Sequence, residues 1–257
     1  STSNTFTAGA IDLQIDNESY VTNNLGVLVA STNNTWGLSD LTNQLFFSFS
    51  DLKPGDIGED TISIHAGSND AWACMAVDIT ATPENAVVGP ETDANDQGEP
   101  GELQGYLNFT FWRDDCDNVF ESDEATIPNL SNVAASTFQG AWHAIADSLY
   151  TPAILGDQTR YVGKAWCFGT LSQTQVVQDG IGKTEGSTNG PLARGTGFNC
   201  SGTGSQNDAQ TDSIIADVSF YAEQARNNGD FMCAELDPLE AGPASIVSAD
   251  PEIVSDT

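Results

Sequence analysis

Short runs in which apolar and polar residues alternate recur along the whole chain. The first is IDLQID at residues 11–16, and alternation with a period of two is typical of a strand with one solvent-exposed face. By the same criterion strands are predicted at residues 11–15, 25–30, 45–49, 61–65, 72–80, 105–112, 160–171 and 214–223. Because clusters of Gly, Pro, Asn and Asp separate these runs, the sequence predicts an all-β sandwich or barrel with long loops.

One stretch has helical spacing instead. In STFQGAWHAIADSLY, residues 136–150, the side chains of Phe138, Trp142, Ile145 and Leu149 recur every three or four positions behind a Ser/Thr N-cap. This pattern predicts a short amphipathic helix inserted between strands, covering one end of the sandwich.

Charge narrows the classes of partner. The 257 residues contain 37 acidic and 7 basic side chains, which gives a formal net charge of −30. The electrostatic field of this negative charge repels phosphate backbones and anionic lipid surfaces, so a nucleic-acid partner is not expected. No apolar run approaches the roughly 18 residues of a membrane span, and no leader pattern is present. We therefore expect a mature chain that does not insert into membranes, with any signal peptide already removed.

The number and spacing of the cysteines suit an extracellular protein with disulfides. There are five, with no C-x-x-C pair, which argues against a zinc ribbon or a thioredoxin-like site. We expect two disulfides among Cys74, Cys167, Cys200 and Cys233, with Cys116 unpaired in the acidic segment DDCDN; the pairing itself is left open. Five N-glycosylation sequons fit a secreted surface that carries glycans, at Asn17, Asn33, Asn108, Asn129 and Asn199.

The acidic segment WRDDCDNVFESDE, residues 112–124, is the best candidate site. It crowds hard oxygen ligands into a loop after a strand, as calcium loops do, although no Gly occupies the sharp-turn position of an EF-hand. The predicted calcium ligands are Asp114, Asp115, Asp117, Asn118 and Glu121. A second acidic loop at residues 91–102 could contribute Asp93, Asp96 or Glu99. The alternative is a solvated acidic surface without a bound ion.

Catalytic chemistry is not indicated. His65 and His143 are the only histidines, and the sequence contains no H-E-x-x-H, G-x-S-x-G or P-loop motif. Packing or surface roles are the simpler interpretation of both histidines. We therefore predict no catalytic residues and a protein that is not an enzyme.

Three segments resemble one family of secreted fibre proteins. NTFTAGAIDLQID at residues 4–16, DLKPGD at 51–56 and ADVSFYAEQARNN at 216–228 together resemble the TasA/camelysin family, which includes bacterial biofilm matrix filaments and archaeal bundling pili. The resemblance implies a jelly-roll sandwich whose copies join head to tail by donor-strand complementation. The implied function is that of a structural subunit of an extracellular filament, serving adhesion, biofilm matrix or cell bundling.

The resemblance also divides the chain. It implies a donor strand at residues 1–9 and a jelly-roll domain at 10–236, whereas the three prolines and the acidic residues of 237–257 predict an extended acidic tail. The donor-strand residues at the interface would be Thr2, Asn4, Phe6, Ala8 and Gly9. Two alternatives stay open: residues 1–9 could be an ordinary first strand of their own sheet, or the tail around residues 244–254 could supply the donated strand.

Two other functions compete with the filament. Camelysin has been described as a metalloprotease, and that activity would need a zinc site built from His65 or His143 together with carboxylates. A monomeric calcium-dependent adhesin would differ from a filament subunit only in its size in solution.

Overall fold

The computed structural model describes residues 13–41, 44, 46, 52–96, 98, 100–183, 188–238, 247–248 and 252–256. These residues contain thirteen strands and three short α-helices. The strands are β1 Leu13–Thr22, β2 Leu28–Ser39, β3 Ile57–Ala66, β4 Ala71–Ala81, β5 Leu107–Asp114, β6 Val133–Ala134, β7 Gln139–Ala146, β8 Thr159–Phe168, β9 Thr170–Gln173, β10 Phe198–Ser201, β11 Ile215–Gln224, β12 Val247–Ser248 and β13 Glu252–Asp256. The helices are α1 Gly89–Ala94, α2 Leu103–Tyr106 and α3 Pro191–Arg194.

The strands form two main antiparallel sheets and a small hairpin. The first sheet has the order β2-β1-β3-β8-β5-β6, the second has the order β12-β13-β11-β4-β7, and β9 pairs with β10. The all-β sandwich predicted from the sequence is therefore confirmed. The jelly-roll connectivity stays a prediction.

One apolar core fills the space between the two sheets. Ile64, Phe109 and Trp166 enter it from the first sheet, and Met75 and Phe220 enter it from the second. Their side chains are almost completely shielded from solvent, as expected for alternate residues that face the interior of a sandwich. This core holds the first sheet in place and fixes which of its faces points outward.

A second, smaller layer covers the outer face of the first sheet. It consists of the loop after β5 and the β9–β10 hairpin, and we call it the outer layer. Phe120 and Phe198 from this layer stack with ring centroids 5.0 Å apart, and both pack against Trp112 of β5. The disulfide between Cys167 of β8 and Cys200 of β10 joins the layer covalently to the sheet.

A second disulfide attaches a segment to the outer face of the second sheet. Cys74 of β4 pairs with Cys233, which lies in a short 3-10 turn after β11. Around this bond Tyr221 packs edge-on against Trp142 and stacks on Phe231. The four bonded cysteines are those expected to pair, and Cys116 is a free thiol.

The helix predicted at residues 136–150 is wrong. Residues 139–146 form β7, which pairs with β4 at the edge of the second sheet. Trp142 and Ala144 contribute to the cluster around the Cys74–Cys233 bond, whereas Ile145 enters the main core. Leu149, which completed the helical spacing, is 62% exposed. The apolar residues are spaced in a way that suits a helix as well as a strand, and pairing with β4 favours the strand.

The predicted donor strand, residues 1–9 with Thr2, Asn4, Phe6, Ala8 and Gly9, lies outside the described residues, as do residues 45 and 47–49 of the third predicted strand. Two pieces of the acidic tail are described. β13 pairs antiparallel with β11, from Val218 opposite Asp256 to Ala222 opposite Glu252, and β12 pairs with β13.

A buried ion pair lies on the core side of the first sheet. The Lys164 ammonium of β8 lies 2.9 Å from Asp60 Oδ2 of β3 and donates a 2.7 Å hydrogen bond to the Phe46 carbonyl. Asn17 Nδ2 donates to the other Asp60 oxygen at 3.2 Å. Burial lowers the pKa of Lys164, and the neighbouring Asp60 carboxylate opposes that shift.

Removing the cation of this pair should cost more than removing the whole pair. We expect Lys164→Met to lower the free energy of unfolding by about 3–5 kcal/mol, because Asp60 is left charged and buried without a partner. Adding Asp60→Leu should recover most of that loss. Denaturant unfolding of both variants checks this, and a double variant as unstable as the single one would contradict it.

Candidate metal centre and sheet edge

Asp114, the last residue of β5, organises the acidic loop that follows it. Its Oδ2 atom accepts hydrogen bonds from Thr61 Oγ1 of β3 at 2.8 Å and from the backbone N–H groups of Cys116 and Asn118 at 3.2 and 3.3 Å. Cys116 and Asn118 both have left-handed backbone angles, with φ of 89° and 61°. The loop thus turns sharply without a glycine because a buried carboxylate collects its N–H groups.

The loop brings carboxylates together in two overlapping groups of three. The first triad is Asp115, Asp117 and Glu121, and the second triad is Asp114, Asp115 and Glu124; within each, one oxygen from every residue lies within 4.8 Å of the others. Four of the five predicted ligands therefore meet. Asn118 belongs to neither triad, and Glu124, an acid of the same segment, was not among the five predicted ligands.

The first triad receives a positive charge from the protein itself. Arg194, the last residue of α3, places Nη1 2.8 Å from Asp117 Oδ2, and its Nη2 atom contacts Glu121 Oε1. The same guanidinium lies 3.2 Å from Asp179 and donates a 2.7 Å hydrogen bond to the Val177 carbonyl. This contact could not be predicted, because Arg194 lies in a Gly-rich segment 77 residues after Asp117.

The second triad receives no such partner. In the part of the chain that the structure describes, no ion pair includes Asp114, Asp115 or Glu124. Glu124 instead accepts backbone hydrogen bonds from Asp115 at 3.0 Å and from Glu121 at 2.8 Å. The loop backbone therefore holds the Glu124 carboxylate in position, but no basic side chain in the described residues forms an ion pair with it.

A further acid lies beneath the loop. Glu59 of β3 is completely buried, and neither of its carboxylate oxygens has a hydrogen-bond partner among the described residues. Because side chains alternate along a strand, Glu59 shares the outer face with Thr61, the residue that donates to Asp114. Burial raises the pKa of Glu59 well above its usual range, and the charges of Asp114, Asp60 and Asp117 raise it further.

Accumulated negative charge also affects the acids of the loop. Burial, as the largest cause, raises the pKa of Asp114 to about 6, that of Asp117 to about 7 and that of Glu124 to about 9. Neighbouring carboxylates add to each shift, and the charge of Asp114 is the largest electrostatic cause for both Asp117 and Glu124. Proton uptake or a bound cation would relieve this accumulated negative charge.

The second predicted acidic loop contributes to a separate cluster. Asp96 lies with Glu84 and Glu102, and Glu84 also lies with Glu91 and Asp212. The predicted alternative ligand Asp93 is exposed, and Glu99 lies outside the described residues. Glu91 is the fully buried member, and its oxygens are satisfied by N–H groups of Val88 and Thr211 and by the Thr211 hydroxyl.

The two histidines lie on different sheets. His65 of β3 contacts Asp16 Oδ2 through Nε2 and Thr159 Oγ1 through Nδ1, each at 2.9 Å. His143 lies on β7 rather than on a helix, and burial lowers its pKa. No group of three potential metal ligands in the described residues includes either histidine.

A different feature is the outer edge of β11. Residues 218–222 of this strand are all at least 92% buried and carry no charge. Val218, Phe220 and Ala222 enter the main core, and Tyr221 faces the cluster around the Cys74–Cys233 bond. A strand covered on both faces is typical of the middle of a sheet, yet its neighbour on one side is only the five-residue β13.

Arg194 should be needed for stability. We expect Arg194→Gln to lower the free energy of unfolding by about 2–3 kcal/mol, because Asp117 and Glu121 lose the cation that compensates their burial. Arg226→Gln, at an exposed arginine, is the matched control and should change stability little. Equal effects of the two substitutions in denaturant unfolding would contradict this role.

The free thiol should be unreactive in the folded protein. Burial, as the largest cause, raises the pKa of Cys116 to about 11, so the nucleophilic thiolate is scarce at pH 8. We expect native Cys116 to react with iodoacetamide about 100-fold more slowly than in the urea-unfolded, non-reduced chain. Mass spectrometry of the alkylated peptide measures both rates, and similar rates would show that the thiol is not suppressed.

No known protein-family model matches this sequence, and no curated protein matches it at a significant level. None of the helices in the described ranges has the length and apolar character that a bilayer span requires.

Proposed function

We propose that this protein is a structural subunit of an extracellular filament whose copies join by strand donation. The two disulfides and the β-sandwich are typical of proteins that fold in an oxidising environment, which supports a location outside the cell. The observation that carries the assembly part of the proposal is the outer edge of β11.

This edge has the properties of an acceptor. Edge strands usually protect themselves with charges or proline, but residues 218–222 read VSFYA and contain neither. Their outward N–H and C=O groups need partners, and β13 supplies them through backbone pairing over five residues. Any ribbon of similar length can make the same bonds, because main-chain pairing depends little on side-chain identity.

Backbone pairing also suits copies that repel one another. Each chain carries a net charge of −30, so contacts built from charged side chains would be unfavourable between identical subunits at low salt. In this proposal β13 covers the β11 edge in a free subunit, and residues 1–9 of a neighbouring copy replace it on assembly. Every copy then gives one strand and receives one, which produces an open head-to-tail chain.

The test is deletion of residues 1–9, compared with deletion of residues 247–257 as the matched truncation. We expect the first variant to remain a folded monomer, with native β-sheet circular dichroism, that forms no filaments in negative-stain micrographs. The second variant should still polymerise, because its acceptor edge is uncovered and its donor is intact. Filaments that persist without residues 1–9 would contradict the proposal, as would wild-type protein that stays monomeric at high salt.

A further inference from the structure

We propose that the second triad, Asp114, Asp115 and Glu124, binds one Ca²⁺ ion. Calcium takes oxygen ligands at about 2.3–2.6 Å, so ligand atoms on opposite sides of the ion are about 5 Å apart at most. The three carboxylates meet that condition, with oxygens within 4.8 Å of one another. This inference is independent of the proposed filament, because it concerns the outer layer of a single subunit.

The charge balance of the region calls for a further cation. Arg194 forms ion pairs with Asp117 and Glu121 of the first triad and leaves the second triad without one. The five acidic side chains of the two triads lie in the loop and Glu59 lies beneath it, whereas the ion pairs of Arg194 in the described residues are with Asp117, Glu121 and Asp179. A divalent ion at the second triad would add positive charge at Asp114 and Glu124, which form no ion pair in the described residues.

Glu59 provides the independent observation. It is fully buried, both of its oxygens lack a hydrogen-bond partner among the described residues, and it lies on the same face of β3 as Thr61, which bonds Asp114. A buried carboxylate without donors is unfavourable unless a positive charge is near it. An ion bound through Asp114 would bring a positive charge to the same face of the first sheet.

The oxygen ligands of the second triad favour calcium over the other common metals. The triad offers carboxylate oxygens alone, so soft metals lack their usual thiolate and imidazole ligands within it. Mg²⁺ requires near-ideal octahedral geometry at about 2.0–2.1 Å, whereas Ca²⁺ accepts irregular carboxylate sets. Because the Arg194 guanidinium is already bound at the first triad, it repels a metal ion there and leaves the second triad as the binding site.

Trp112 makes the site directly observable. Its indole Nε1 atom donates to Asp114 Oδ1 at 3.3 Å, so a Tb³⁺ ion substituted for calcium would lie next to this ring. We expect tryptophan-excited Tb³⁺ luminescence that saturates with a stoichiometry of one ion per chain and is competed by Ca²⁺. The protein is first treated with EGTA and kept in constant high KCl, so that non-specific screening is the same throughout.

Variants then locate the ion. Glu124→Gln should weaken Ca²⁺ competition about tenfold or more, since it removes one charged ligand while keeping the side chain's size. Asp123→Asn is the matched control, because Asp123 is exposed and belongs to neither triad, and it should leave the affinity unchanged. Glu59→Gln should weaken binding while preserving the ligands, and it serves as the second probe if Glu124→Gln does not fold.

Three results would overturn the inference. They are the absence of saturable Tb³⁺ luminescence in the wild type, an equal loss of affinity in Asp123→Asn and Glu124→Gln, and a loss of binding on Glu84→Gln instead. The last would assign the ion to the separate cluster of Glu84, Glu91 and Asp212.

Discussion

The excess of negative charge is the constraint on which this structure depends. With 37 acidic side chains and 7 basic ones, the chain leaves most of its acids without a basic partner. It uses a continuous apolar core between two antiparallel sheets, two disulfides that attach outer segments to those sheets, and backbone pairing along every strand. None of these interactions requires a balance of charge.

Two of the seven basic side chains lie where acids are buried. Lys164 compensates Asp60 on the core side of the first sheet, and Arg194 compensates Asp117 and Glu121 under the outer layer. The two arrangements differ in their surroundings. The Lys164 pair is completed by Asn17 and a backbone carbonyl, whereas the acids around Arg194 outnumber it and raise one another's pKa values. The outer face of the first sheet is therefore where an added cation would have the largest effect.

Much of the fold could be predicted from the sequence because strands with one buried face show alternating apolar and polar residues. The segment 61–65 was recognised in this way, and it lies within β3. The helix at residues 136–150 was wrong because Phe138, Trp142 and Ile145 fit a period of 3.6 as well as they fit the two faces of a strand, and only pairing with β4 decides between them. Local spacing carries no information about that partner.

The candidate site was predicted only in part for a similar reason. The acidic loop is contiguous in sequence, so Asp114, Asp115, Asp117 and Glu121 could be found together. Glu59 and Arg194 come from distant segments. The pairing of β3 with β8 and of β8 with β5 places Glu59 on the same sheet face as the loop, and the packing of the outer layer brings Arg194 to the loop acids. The polar face of β3, which begins at Glu59, was the one feature of the sequence that could have indicated a contribution of β3 to the site.

The most direct test of this account is the free energy of unfolding measured against Ca²⁺ concentration at fixed ionic strength. If an ion relieves the buried negative charge, stability should rise by about 1.4 kcal/mol for each tenfold increase in Ca²⁺ above its dissociation constant. Stability that follows total ionic strength and is indifferent to Ca²⁺ would contradict the account.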